Sequence, residues 1–168
     1  MSKIKQFYPI SQRDFELTNG FFKILEEKIE NVTMPWSYTQ LKESGRIEAF
    51  RLEWKEGSSI PKPHYFWDSD VAKWVESAAL ILQRKDNPEL KEKMEYVVDL
   101  IIGSQQPDGY LNIYFTVVEP DKRWYNMRDG HELYCAGHLI EAAVEHYKAT
   151  KNRKFLDAMC KYVDYIDS

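Results

Sequence analysis

Apolar positions recur every three or four residues over five stretches of this chain, and that spacing predicts a helical protein. Val71, Trp74, Val75, Ala78, Ala79 and Leu82 fall at i, i+3, i+4, i+7, i+8 and i+11, one continuous helical stripe. Phe15, Phe22, Leu25 and Ile29 mark an earlier helix over about Asp14 to Glu30. Asn87-Pro88-Glu89 supplies an N-cap, a first-turn proline and an early acid for the third helix. Leu90, Met94, Val97, Val98 and Ile101 carry that helix to Gly103. A fourth spans His131 to Ala149, and a fifth Arg153 to Asp167 with Leu156, Met159, Cys160, Val163 and Ile166 inward. Between the first two helices, Arg46 to Lys55 alternates through Ile47, Phe50, Leu52 and Trp54, which reads as a short strand or an extended packing segment.

The connections alternate in length. Short turns near Arg84–Asn87 and Thr150–Asn152 join the second helix to the third and the fourth to the fifth. A long link, about Ser104 to Gly130, separates the third from the fourth, and a longer one separates the first from the second. Loops of this length inside a compact domain are usually functional. Antiparallel helices joined in this way carry every long link at one end, where the second and fourth helices begin. Asp68, Ser69 and Asp70 should therefore meet His131 and Glu132 at that end, which makes it the candidate site.

Composition narrows the classes without naming one. With 168 residues, 43% hydrophobic and 30% charged, the chain reads as one globular domain. A net charge of −4 with interspersed signs leaves no basic footprint for nucleic acid. The longest apolar run, Ala78 to Leu82, is too short to span a bilayer, so no membrane partner is expected. No apolar run follows the lysines within Met1 to Lys5, so no export signal is read and a cytoplasmic location is expected. Cys135 and Cys160 are then expected to be two buried free thiols.

The fourth helix presents two faces. Leu133, Ile140, Val144 and Tyr147 form an apolar one, and His131, Cys135, His138 and Ala142 lie opposite, as suits the inner layer of a double-layered helical barrel. His131, Cys135 and His138 spread over two turns and do not converge on one ion, so no metal site is expected there. His131 at the helix mouth is either a sugar contact or a structural residue. Asp68-Ser69-Asp70 reads as a helix cap with a first-turn acid, or as a ligand-binding pair. Pro107-Asp108-Gly109 is a turn, with Gln105 and Tyr110 most simply stabilising their own loop.

These residues also carry a family resemblance. Gly20-Phe21-Phe22, Gly45-Arg46-Ile47, PHYFWDSDVAKWVESAALIL, SQQPDGYLN and DGHELYCAGHLIEAAVEHYKATKNRKFLDAMCKYVDYI follow in order over nearly the whole chain. Together they resemble the β-L-arabinofuranosidase family of glycoside hydrolases. The resemblance implies an all-α fold, an (α/α)6 barrel of antiparallel helix pairs in which the second and fourth helices are inner. It implies an arabinofuranose-containing oligosaccharide as substrate, and it maps the sugar-contacting histidine of the His-Glu-Leu-Tyr motif onto His131.

Asp68, Asp70 and Trp67 join His131 as the expected substrate-binding set. The resemblance also implies zinc, bound by a glutamate and cysteines in a later part of the family's domain. Nothing in this chain matches those ligands, so neither a catalytic residue nor a cofactor is expected within it. Five helices cannot close a barrel of twelve. Residues 1–168 are therefore expected to be the N-terminal part of a barrel domain, a fragment or one piece of a split gene, and to associate with themselves or with the missing part. Two other readings stay open at this point, a helical-barrel sugar epimerase and a non-enzymatic carbohydrate-binding or assembly module.

Overall fold

A computed structural model describes Tyr8, Ile10, Ser11 and residues 13–168. Met1 to Lys5 lie outside the described residues. Among the described residues all regular structure is helical, and no helix is long and apolar enough to cross a membrane.

The first helix differs most from expectation. It starts at Gly20, in the left-handed region at φ 80°, and α1 spans Gly20–Lys28. The chain then widens into a π-helical turn over Ile29–Thr33 and continues as α2, Met34–Glu43. Pro35 explains the widening, because it brings no N–H to the ladder. The Met34 N–H instead reaches back five residues to Ile29 O. The alternating segment is not a strand. Glu48–Arg51 forms one 3-10 turn, which brings Ile47 and Phe50, three residues apart, into the core together.

Two antiparallel pairs follow. Helices α3 (Trp67–Leu82) and α4 (Pro88–Gly103) form the first. The Asn87 side chain caps α4 as expected, accepting the Leu90 N–H at 3.0 Å. The long link carries the short helix α5, Tyr114–Val117. Helices α6 (Glu132–Thr150) and α7 (Lys154–Asp167) form the second pair.

Helices α3 and α6 lie side by side and parallel. Cys135 Sγ meets Tyr65 O and Lys73 Nζ reaches the Tyr134 hydroxyl near the starts of the two helices, and Gln83 bonds Glu145 toward their far ends. Small side chains allow this close approach, since Ala72, Ala78, Ala79, Ala136, Ala142 and Ala143 are all buried. Helix α4 backs α3 through Met94, Val97, Val98 and Ile101, while α7 backs α6 through Phe155, Ala158, Met159 and Tyr162.

That inward stripe of α7 begins at Phe155, not Leu156. Rotating the helix by one position leaves Val163 45% exposed and turns Cys160 outward, so only Cys135 is a buried thiol. In α6, Leu133 is likewise exposed, and the core stripe runs through Ala136, Leu139, Ala143 and His146. The assembly is an incomplete barrel. Its open edges show as apolar side chains, with Phe21, Phe22, Ile24, Val32 and Trp36 exposed on α1–α2 and Leu133 exposed on α6.

Candidate functional site

The first turns of α3 and α6 meet at the long-link end. His131 immediately precedes α6 and holds left-handed backbone angles, φ 57° and ψ 18°, with no capping bond from its side chain. Its imidazole stands edge-on to Phe66, 5.9 Å between centroids, and to Tyr134 at 5.8 Å. The Tyr134 hydroxyl accepts a hydrogen bond from Lys73 Nζ at 2.7 Å, and its ring lies 4.7 Å from that of His138. An aromatic and imidazole row thus descends from His131 along the face of α6 beside α3. His138 is only partly enclosed. Its side chain is 24% exposed, with Nδ1 3.3 Å from Glu141 Oε2.

The expected acidic pair divides. Asp70 is half-buried and pairs with Arg46, Oδ2 to Nε at 3.1 Å. The same guanidinium lies over the Trp67 ring, 5.2 Å from its centroid, which fixes the start of α3 against the link before it. Asp68 is fully enclosed and its Oδ1 accepts the Ile113 N–H at 3.0 Å. The helix dipole favours an ionised Asp68 at this place, but loss of solvent wins. Burial raises its carboxyl to about 7, against the lowering effect of backbone hydrogen bonds. Asp68 thus acts as an anchor for the link, a correction to its expected place on a sugar-facing surface. Trp67, 9% exposed, contributes mainly as packing beneath Arg46.

Three features escaped the sequence reading. Arg46 lies far from Asp70 in sequence, and no periodicity links the two. Phe66 falls outside the helical stripe. Glu132 was placed at the mouth but turns inward, with only 1% exposed, to accept the Tyr110 hydroxyl and the Trp124 N–H. The Pro107-Asp108-Gly109 turn behaves as expected. Gln105 Nε2 donates to Gly109 O and Ala158 O, and Tyr110 is buried. Gly109 has φ 97°, and a Cβ there would lie 2.7 Å from Lys161 O, so the turn packs against α7 only with glycine. A cleft of about 230 Å³ opens between Tyr65, Phe115 and Tyr125, edged by Glu119, Asp129 and Gly130.

Comparison with known proteins gives this geometry a family. The β-L-arabinofuranosidase GH127 catalytic-domain model matches residues 14–168. The chain belongs to the GH127 β-L-arabinofuranosidase family. It is 41% identical over 107 residues to the non-reducing end β-L-arabinofuranosidase of Bifidobacterium longum, covering 61% of this chain and 16% of that protein. The crystal structure of a GH127 β-L-arabinofuranosidase from Geobacillus stearothermophilus superposes with a TM-score of 0.82 at 46% identity, over 90% of this chain and 25% of that one. The GH127 β-arabinofuranosidase BT3674 superposes at 0.85 with 31% identity, over 94% of this chain and 26% of its own. The chain therefore spans about a quarter or less of each relative, which fits an incomplete helical barrel.

A thiol-bound zinc, implied by the resemblance for the family, does not fit the residues of this GH127 chain. Cys135 is enclosed, donating to Tyr65 O at 3.3 Å, and burial holds its thiol well above its ordinary pKa. Cys160 is exposed on α7. Among the described residues, the potential ligand atoms that do come together belong to Glu76, His138 and Glu141, a group with no thiol.

Proposed function

We propose that this chain supplies the sugar-binding wall of a GH127 active site, with the terminal arabinofuranose of an oligosaccharide seated against His131. The observation that carries the reading is the placement of His131. Its imidazole makes no capping bond, sits in an aromatic corner of Phe66 and Tyr134, and stands at the shared mouth of two parallel inner helices. Sugar rings present apolar faces and dense hydroxyls, and such a corner offers an aromatic surface beside a ring nitrogen. Asp70 and Arg46 lie on the same end as a fixed polar pair, Trp67 packs below them, and Asp68 holds the link from beneath. Tyr125, 86% exposed, is the apolar wall on the link side.

In this reading the nucleophile, the proton donor and the zinc come from elsewhere, and the chain alone binds without turning over. A second reading, an assembly or carbohydrate-binding module, draws on the exposed apolar residues of α1–α2. Either way, the open edges take up the rest of a barrel or a second copy. Titration of the labelled protein with methyl β-L-arabinofuranoside, followed by NMR, tests the proposal. Shifts centred on His131 and Tyr134, lost in His131→Ala, are expected. Shifts unaffected by His131→Ala, or none at tens of millimolar glycoside, would remove it.

A further inference from the structure

We infer that Glu132 is a positioning residue, whose buried carboxylate holds its neighbour His131 in the left-handed backbone conformation that sets the imidazole in the corner of Phe66 and Tyr134. The inference rests on the proposed sugar contact of His131 for its purpose, but on independent geometry for its mechanism.

A non-glycine residue in the left-handed region is strained and persists only where its surroundings impose it. The His131 side chain does not impose it, because it makes no cap bond and its ring stands against Phe66 and Tyr134, and its carbonyl, which accepts the Cys135 N–H at 2.9 Å, holds only the peptide that follows. The residue before it cannot supply the constraint alone. Gly130 N donates to Asn126 O at 2.8 Å, which closes the preceding loop but leaves the following peptide free to turn.

Glu132 provides the missing hold. One carboxylate oxygen accepts the Tyr110 hydroxyl and the other accepts the Trp124 N–H at 2.6 Å. Those donors belong to separate parts of the long link. Tyr110 follows the Gly109 turn that packs on α7, and its ring is completely buried under the Arg123 guanidinium, 3.9 Å from the ring centroid. Trp124 is itself left-handed, with φ 61°. If His131 relaxed to a right-handed or extended conformation, Glu132 would swing away from both donors. The buried Tyr110 hydroxyl and the half-buried Trp124 N–H would then lose their acceptor inside the protein, and the penalty falls mainly on the buried hydroxyl. Two bonds at Glu132 therefore lock one torsion at His131.

The side-chain chemistry makes this testable. Glutamine preserves both bonds, because its oxygen accepts from Trp124 N while its amide donates to the Tyr110 oxygen, which can reverse its role. Alanine removes both, and Tyr110→Phe removes one without touching α6. Wild type, Glu132→Gln, Glu132→Ala and Tyr110→Phe are compared by NMR at His131, through the Cα shift and the HN–Hα and HN–C′ couplings that report a positive φ. The glycoside titration is repeated on each, and circular dichroism checks that α6 stays folded.

The glutamine variant is expected to keep the positive-φ signature. The alanine variant should lose it and bind glycoside about tenfold or more weakly, as misplacement of a binding group does, and the phenylalanine variant should fall between. Should Glu132→Ala fail to fold, Tyr110→Phe decides. An unchanged His131 signature in a folded Glu132→Ala, or in Tyr110→Phe when alanine does not fold, overturns the inference. If instead the signature changes while His131→Ala leaves glycoside binding intact, the positioning stands and the sugar reading fails.

Discussion

Oδ1 of Asp68 accepts the backbone N–H of Ile113 at 3.0 Å, tying the first turn of α3 to the middle of a link 45 residues further along. The carboxyl group is completely enclosed, and its second oxygen has no hydrogen-bond partner among the described residues. A helix start and the loop that roofs the site are thus joined through a group that burial drives toward its neutral form.

A pH dependence of stability follows from that burial. The carboxyl of Asp68 is raised from 3.8 to about 7, so the folded state holds a proton that the unfolded chain releases near pH 4. Its stabilising effect is complete below that pH and is lost as pH rises toward and through 7. Asp68→Asn keeps an oxygen for Ile113 and carries no charge. It is expected to melt about 5 °C above wild type at pH 8, with the gap closing near pH 5. Melting curves by circular dichroism across this range check it, and a gap that widens toward acid would contradict the assignment.

The opposite sign is expected at Glu95. Its carboxylate accepts from the enclosed His146, at 2.9 Å from Nε2, and from Lys154 at 2.7 Å, and these bonds lower it to about 2. Stability from this cluster is present above the ordinary glutamate range and is lost as pH falls from about 4.5 to 2. Glu95→Ala leaves His146 buried without its acceptor. The expected cost is about 2–3 kcal/mol at pH 7, read from urea unfolding.

The two thiols should differ sharply in reactivity. Cys160 is exposed, whereas Cys135 is enclosed and its thiolate is disfavoured by burial and by nearby Asp68. A disulfide reagent at pH 8 is expected to label one thiol quickly in the native protein and both after denaturation. Protein stripped of metal and reloaded is expected to retain no stoichiometric thiol-bound zinc by elemental analysis. Fast native labelling of two thiols would show that Cys135 is accessible.

Hydrolysis of an aryl β-L-arabinofuranoside by the purified chain should be undetectable. Glycoside cleavage needs an activated nucleophile and a proton donor on either side of one bond. The thiol of Cys135 faces a backbone carbonyl, and Asp68 is sealed from the cleft. Turnover that appears only when a polypeptide carrying the rest of the GH127 domain is added would support a wall that supplies binding alone. Turnover by the chain alone, abolished by Cys135→Ser, would place the nucleophile here after all.

Periodicity, cap chemistry and connection lengths determined the helical character, the limits of α4 to within a residue, the Asn87 cap, the two short turns and the gathering of long links at one end. These features are local, since a stripe of apolar residues or a cap-and-proline pair specifies its own helix whatever it packs against. Only the tertiary structure decided the remainder. Pro35 did not break the first helix but widened it into α2, where the Met34 carbonyl accepts the Trp74 indole N–H and Tyr38 packs against the Trp74 ring. The inward face of α7 turned by one position to bury Phe155 and Tyr162, which exposed Cys160. At the site, the sequence placed Asp68, Asp70, Glu132 and His131 together but could not sort them by exposure. Whether a carboxylate faces solvent depends on partners such as Ile113, Arg46, Tyr110 and Trp124. Packing across the whole domain brings those partners near, and no spacing along the chain encodes it.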